Sequence, residues 1–244
     1  MTSVLLVRHG RTTANAAGIL AGWSPGINLD DVGKEQASAL AQRLSPLPIT
    51  HLVSSPLPRA LATARQIASD RALPIIRDRQ VGELHYGDWT GQELKTLAKH
   101  NLWATVQAHP SAMTFPGGES MVDAQRRAMT ACRGWAARAA DECGDQGLVV
   151  IVSHGDIIKA VLADALGMHL DMFQRIIVDP ASLSVVQYTP LRPFVERIND
   201  CGDNTAGLIP PKPRKGRKRP HASKRSANSD AAIGGSAGSP AKHR

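Results

Sequence analysis

A short apolar run, residues 4–7, leads directly into Arg8, His9 and Gly10 near the start of the chain. Continuous apolar runs of this kind are typical of strands that are covered on both faces of a sheet. A strand that ends here would place a guanidinium and an imidazole together at the sheet edge. The sequence therefore predicts a site at the end of the first strand that can hold an anion and attack it.

The rest of residues 1 to about 200 alternates strand and helix patterns. Further strands are predicted at 148–152, 51–54 and 183–188, with a short edge strand at 74–76. Helical spacing of apolar residues predicts helices around 37–44, 57–68 and 158–165, and a longer one from about 119 to 141. This alternation predicts an α/β fold of three layers, with a mostly parallel central sheet between helices. Ligands of such sheets bind beyond the carboxyl ends of the strands.

The charge divides the chain into two parts. The net charge is +8, but residues 203–244 hold ten lysines and arginines against two aspartates, and residues 1–202 hold equal numbers of each sign. The C-terminal part is also rich in Pro, Gly, Ser and Ala. We therefore predict one folded domain over residues 1–200 and a disordered basic tail over 203–244.

Composition sets further limits. Hydrophobic residues make up 42% of the 244 residues, which is enough for a substantial core. There is no apolar stretch of 18 residues that could span a membrane, and the first apolar run is too short for a signal peptide. Three scattered cysteines favour neither a disulfide framework nor a zinc site. We expect a reduced, cytoplasmic protein that uses no metal and no cofactor.

Four segments carry polar groups beyond predicted strand ends. They are residues 8–10 (RHG), 54–60 (SSPLPRA), 82–91 (GELHYGDWTG) and 153–156 (SHGD). Gathered in one pocket, they would suit phosphoryl transfer. Arg8 and Arg59 can bind phosphate oxygens in a bidentate manner, and helix N-termini after Pro56 and Gly155 add N–H donors.

The same segments supply reacting groups. A neutral imidazole is a competent nucleophile toward phosphorus, whereas a serine hydroxyl needs a base. A second imidazole, if protonated, would stabilise charge on the transferring group. Glu83 is the candidate acid for the leaving oxygen. Asp88 is an alternative donor of that proton.

Together the four segments resemble the histidine phosphatase superfamily, also called the phosphoglycerate mutase-like family. The resemblance covers roughly residues 3 to 190 and includes the turn at 115–120 (FPGGES). It implies that His9 becomes a phosphohistidine, that Arg8, Arg59 and His154 complete the phosphate pocket, and that Glu83 is the acid and base. It also implies phosphate or substrate contacts for a second set of residues: Thr12, Asn15 and Gly22.

Two departures and one alternative accompany the resemblance. The loop at 22–29 keeps the glycine and tryptophan but lacks the family's usual aspartate and proline-leucine, which affects substrate preference. Asp156 stands where many members have a small residue, and a helix-capping role is open to it. Thr12 and Asn15 could simply cap a turn.

These observations predict a phosphatase acting on small phosphorylated metabolites through a phosphohistidine. The alternative is a mutase that returns the phosphoryl group to a bound sugar acid. The segment 83–91 resembles the phosphatase branch, and no long insertion separates it from the turn at 115–120. A third hypothesis is a binding protein whose basic tail contacts nucleic acid, although all five reacting positions are filled.

Partners are predicted less sharply. The basic cluster at 212–225 could make weak contacts with polyanions, but no aromatic residue interleaves its charges for base stacking. The family resemblance also implies that the chain could form a homodimer, and the sequence leaves the oligomeric state open.

Overall fold

The structure is a computed structural model that describes residues 1–202 and 233–234. The strands are β1 (Thr2–Arg8), β2 (His51–Ser54), β3 (Ile75–Arg77), β4 (Leu148–Ser153), β5 (Leu183–Tyr188) and β6 (Pro193–Asp200). The helices are α1 (Thr13–Ala17), α2 (Asp31–Leu44), α3 (Pro58–Ala68), α4 (Leu94–Leu97), α5 (Trp103–Ala108), α6 (Met121–Cys143) and α7 (Gly155–Ala165).

The six strands form one sheet in the order β3-β2-β4-β1-β5-β6. Strands β3, β2, β4 and β1 run parallel to one another, and β5 is antiparallel to both β1 and β6. In the register, Arg8 of β1 lies opposite Ser153 of β4, and Ser54 of β2 lies opposite Val152. The carboxyl ends of β1, β2 and β4 therefore meet at the same edge, as the sequence predicted.

Apolar side chains of β1 alternate between two cores. Val4 and Leu6 belong to the core on the side of α6 and α7, whereas Leu5 and Val7 belong to the core on the side of α2 and α3. A strand with helices over both faces can be apolar at every position. This arrangement confirms the prediction of a mostly parallel sheet between helical layers.

Local signals explain where helices begin. Pro58 occupies the first turn of α3, where its missing N–H removes no helical bond. Ser120 caps α6, and its side chain accepts from the Asp123 amide at 3.0 Å. The long helix runs over 121–143 rather than 119–141, a displacement of two residues at each end.

Two features lie outside the predictions. Strand β6 was not predicted, because its outer edge is exposed and its sequence carries charges. Residues 203–232 and 235–244 lie outside the described residues, so the prediction of a disordered tail and the division into 1–200 and 203–244 remain predictions. Among the described residues, no helix is long and apolar enough to cross a membrane.

Candidate active site

Arg8 ends strand β1 and His9 follows it at the sheet edge, and both side chains are almost completely buried. The His9 amide donates to the Ser153 carbonyl at 3.0 Å, which ties the end of β1 to the end of β4. His154 follows β4 and is fully buried. The rings of His9 and His154 lie 5.1 Å apart, centroid to centroid, in an edge-on arrangement. Two imidazoles distant in sequence thus share one pocket.

Hydrogen bonds fix the tautomer of His9. Its Nδ1 lies 2.7 Å from the Gly10 carbonyl oxygen, which can only accept, so Nδ1 carries the proton. Arg59 Nε donates to His9 Nε2 at 3.2 Å. Burial, followed by the charges of Arg59 and Arg8, holds the pKa of His9 well below its usual value. The ring is therefore neutral at pH 7, with a lone pair on Nε2.

Close packing explains the glycine after His9. A Cβ on Gly10 would lie 2.4 Å from the Gly33 carbonyl oxygen of α2, closer than atoms can approach. The Gly10 amide donates to Thr63 Oγ1 of α3 at 3.1 Å. These contacts hold the backbone that accepts from His9, so the glycine is required by geometry rather than by chemistry.

Arg59 enters the pocket from the first turn of α3. Its Nη2 donates to the Gly22 carbonyl oxygen at 2.9 Å and lies 3.7 Å from Glu83 Oε2. Gly22 has a φ of +49°, in the left-handed region that favours glycine. Gly22 thus contributes a carbonyl that orients Arg59, while its predicted contact with substrate remains a prediction.

Glu83 is buried beside both His154 and Arg59. Its Oε2 lies 3.6 Å from His154 Nδ1, and its Oε1 accepts from the Leu84 amide at 3.1 Å. Burial raises the pKa of the Glu83 carboxyl to about 7, although the Arg59 charge opposes the shift. At neutral pH the group can therefore give up a proton and take one back. Asp88, the alternative, is exposed, and its amide bonds to the Pro116 carbonyl.

The position of His154 depends on a serine that the sequence analysis did not single out. His154 Nε2 lies 2.8 Å from Ser55 Oγ, beyond the end of β2. Burial, followed by the charge of Arg59, holds the pKa of His154 well below its usual value. The imidazole is therefore neutral, and a phosphate dianion beside it would raise that pKa.

Three buried nitrogens of the residues predicted to hold phosphate have no hydrogen-bond partner among the described residues. They are Arg8 Nε, Arg59 Nη1 and His154 Nδ1. Native structures rarely leave buried polar atoms unpaired, and each one is destabilising by about 1–3 kcal/mol. An anion with several acceptor oxygens would satisfy the two guanidinium nitrogens, and His154 Nδ1 as well when that nitrogen carries a proton.

Thr12 and Asn15 form a reciprocal cap of α1. The Asn15 amide donates to Thr12 Oγ1 at 3.1 Å, and the Thr12 amide donates to Asn15 Oδ1 at 3.1 Å. This is the capping-box arrangement, and it agrees with the capping role left open for them. Their predicted contact with phosphate stays a prediction.

The turn at 115–120 supports Glu83 through an arginine missed by the sequence analysis. Glu119 pairs with Arg127 of α6 at 2.6 Å and accepts from the His85 amide at 2.9 Å. Arg127 Nη2 also donates to the Glu83 carbonyl at 3.0 Å, as does Trp23 Nε1 at 2.7 Å. The segment bearing Glu83 is thereby held from three directions.

Asp156 is a buried carboxylate rather than a surface helix cap. Its Oδ2 accepts from the Tyr86 hydroxyl at 3.0 Å, and its Oδ1 lies 3.5 Å from Lys159 Nζ. The charge of Asp156 helps to raise the pKa of Glu83. Asp156, which departs from the family pattern, thus acts on the site through its charge.

A profile of the histidine phosphatase superfamily, branch 1, matches residues 4–201, which is most of the chain. The chain belongs to this superfamily. The family predicted from the four motifs is therefore confirmed.

Relatives in the histidine phosphatase superfamily have several names. Phosphoserine phosphatase 1 of Hydrogenobacter thermophilus is 30% identical over 202 residues, covering 82% of this chain and 92% of that protein. Glucosyl-3-phosphoglycerate phosphatase of Mycolicibacterium vanbaalenii is 33% identical over 171 residues, covering 69% and 76%. GpmB of Yersinia pestis, described as a probable phosphoglycerate mutase, is 33% identical over 195 residues, covering 77% and 86%.

Solved structures of the superfamily share the fold. Mycobacterial glucosyl-3-phosphoglycerate phosphatase, solved with VO3, superposes with a TM-score of 0.74 at 25% identity, covering 82% of this chain and all of that one. Bacillus stearothermophilus YhfR superposes with a TM-score of 0.74 at 26% identity, covering 82% and 98%. The similarity spans the whole domain that carries the site.

Proposed function

We propose that this histidine phosphatase hydrolyses phosphomonoesters of small metabolites, without a metal, through a phosphohistidine on His9. The observation that carries the proposal is that buried nitrogens of Arg8, Arg59 and His154 have no hydrogen-bond partner among the described residues, in the pocket where Arg59 donates to Nε2 of His9. Donors placed to receive a phosphate beside a neutral nucleophile support phosphoryl transfer. The phosphatase names of several relatives support the same reaction class.

In the first step, His9 Nε2 attacks phosphorus in line with the leaving oxygen. A P–N bond forms, the P–O bond to the substrate breaks, and the proton of Glu83 passes to the leaving oxygen. Arg8 and Arg59 hold the oxygens of the transferring group and neutralise their charge. The phosphoryl group then resides on His9, and Glu83 is a carboxylate.

In the second step, the Glu83 carboxylate takes a proton from water, and the water oxygen attacks phosphorus. The P–N bond breaks, inorganic phosphate leaves, and His9 regains its lone pair. Glu83 is again protonated, so one residue serves as acid and then as base. Its pKa near 7 suits both tasks.

The pH profile should report the protonation of Glu83. For an alkyl phosphate, kcat/KM is expected to fall as pH rises through about 7, because the proton needed by the leaving group is present below the Glu83 pKa and lost above it. The profile is best measured above about pH 6.5, where the substrate phosphate is mostly dianionic. A Glu83→Gln variant is the control and should lack this limb. A wild-type rate that stays constant or rises to high pH would contradict the assignment of Glu83.

A mutase activity is the second candidate, favoured by the similarity to GpmB. A mutase would pass the phosphoryl group of His9 back to a bound sugar acid instead of to water. The test supplies 3-phosphoglycerate with a bisphosphate primer and follows both products. Release of inorganic phosphate without the isomer supports the phosphatase, and isomer without phosphate supports the mutase.

The substrate is proposed only as a class. Phosphorylated sugars, sugar acids, nucleotides and phosphoamino acids all present the dianion that this pocket suits. A phosphate-release assay over a panel of these compounds, ranked by kcat/KM, would identify the preferred leaving group. A sharp preference for one class would define the substrate, and equal slow rates on all would indicate that the substrate lies outside the panel.

A cytoplasmic location, a homodimer and weak polyanion contacts of residues 212–225 remain proposals. Residues 212–225 lie outside the described residues, and their support is the run of basic side chains. Binding of the full chain to a polyanion should weaken steeply with salt if these charges carry it. Light scattering at two protein concentrations would decide between monomer and dimer.

A further inference from the structure

Two residues of the C-terminal region pack against the active site, although thirty residues separate them from Gly202. Ile233 is only 1% exposed and belongs to the same apolar core as Leu20 and Tyr86. Gly234 follows in the left-handed region, with a φ of +81°. A single large apolar residue within a stretch of Ala, Gly and Ser thus reaches the interior of the domain.

Both polar backbone groups of Gly234 bond to charged residues of the site. Its amide donates to Asp156 Oδ2 at 2.8 Å, beside the bond from the Tyr86 hydroxyl. Its carbonyl oxygen accepts from Arg8 Nη2 at 3.4 Å. Arg8 is also one of the residues proposed to hold the phosphoryl group. The Gly234 carbonyl oxygen therefore takes up a donor that a substrate oxygen would need.

The backbone conformation favours glycine here. The φ of Gly234 lies in the left-handed region, and a Cβ would also lie 2.9 Å from Leu20 Cδ1, the end of a side chain that would have to shift. Ile233 supplies apolar burial, and Gly234 supplies the backbone bonds. An apolar anchor followed by a backbone that bonds to both Arg8 and Asp156 is how a short peptide ligand would bind here.

We propose that the segment formed by Ile233 and Gly234 is an intramolecular ligand of the active-site cleft that competes with substrate for Arg8. The proposal rests on the proposed function, because the competing ligand is a phosphomonoester. A phosphate dianion forms stronger, charge-assisted bonds to a guanidinium than a neutral carbonyl does, so substrate can displace the segment. Because the segment is covalently attached, its effective concentration is high even if its intrinsic affinity is weak.

The test uses the full chain with substitutions in the segment. Ile233→Ser removes the apolar anchor, and Gly234→Val blocks the backbone fit. Matched controls, Ile209→Ser and Gly238→Val, make the same changes elsewhere in the C-terminal region. Circular dichroism and thermal unfolding show whether each variant keeps the fold.

Binding and kinetics give the main readout. Suppose the segment occupies the site in about nine molecules out of ten. Both segment variants should then bind inorganic phosphate about tenfold more tightly by calorimetry, and their KM should be about tenfold lower with kcat unchanged. Both controls should match the wild type. Unchanged or weaker phosphate binding in the segment variants would overturn the proposal. In particular, weaker binding would mean that the segment helps to hold the ligand as a wall of the site.

A second measurement depends on neither turnover nor phosphate binding. In hydrogen–deuterium exchange, overlapping peptides that resolve residue 234 should show protection of the Gly234 amide in the wild type, and Ile233→Ser should remove that protection. An unprotected Gly234 amide in the wild type would overturn the proposal by itself. If no form hydrolyses any phosphomonoester while the amide is protected, the proposed function fails and the docking of the segment stands.

Discussion

His9→Ala is expected to lower kcat/KM by at least about 10⁴-fold, because none of the other described residues offers a neutral nucleophile whose lone pair takes the place of His9 Nε2. His9 Nε2 receives its only polar contact among the described residues from Arg59, and its ring is held by the Gly10 carbonyl. Removing the ring removes the covalent route altogether. Steady-state hydrolysis and labelling by a radioactive phosphomonoester should be lost together.

The matched control for this variant is His169→Ala, which removes an exposed imidazole outside the pocket. It should retain wild-type kinetics. The His9→Ala protein should still unfold cooperatively and bind inorganic phosphate through the two arginines. Near-normal turnover in His9→Ala would refute the assignment of the nucleophile.

Glu83→Gln is expected to lower kcat for an alkyl phosphate by about 10²–10⁴-fold, because an amide can neither protonate the leaving oxygen nor accept a proton from water. The loss should depend on the leaving group. p-Nitrophenolate needs no proton to leave, so the first step should survive with p-nitrophenyl phosphate, while the hydrolysis of phosphohistidine stays slow.

A rapid-mixing experiment separates the two steps. With p-nitrophenyl phosphate, Glu83→Gln should release a stoichiometric burst of p-nitrophenolate followed by slow turnover. Asp88→Asn is the control and should behave as the wild type, since Asp88 is exposed. A full loss of activity in Asp88→Asn with little loss in Glu83→Gln would reverse the two assignments.

Much of this site could be predicted because parallel strands bring their carboxyl ends to one edge. Arg8, His9 and His154 each follow a continuous apolar run, so the sequence alone placed them at neighbouring strand ends. Arg59 follows a Pro-containing helix start, which is also a local signal. These residues needed no long-range information beyond the order of the strands.

The supporting residues could not be predicted in the same way. Ser55 and Arg127 act through side-chain contacts between elements distant in sequence, to His154 and to the Glu83 backbone. Strand β6 has an exposed face with charges and lacks the apolar run that marks β1. Ile233 is one large apolar residue without periodicity, so the sequence pattern does not distinguish it from the small residues around it.

The central claim is that a phosphoryl group is bonded transiently to His9 Nε2, and the most direct measurement traps that adduct. Glu83→Gln is mixed with phosphate-labelled p-nitrophenyl phosphate, quenched in alkali, digested and mapped by mass spectrometry and ³¹P NMR. We predict an alkali-stable, acid-labile phosphate on Nε2 of His9. A burst of p-nitrophenolate with the phosphate on another residue, or with no covalent phosphate at all, would contradict the account.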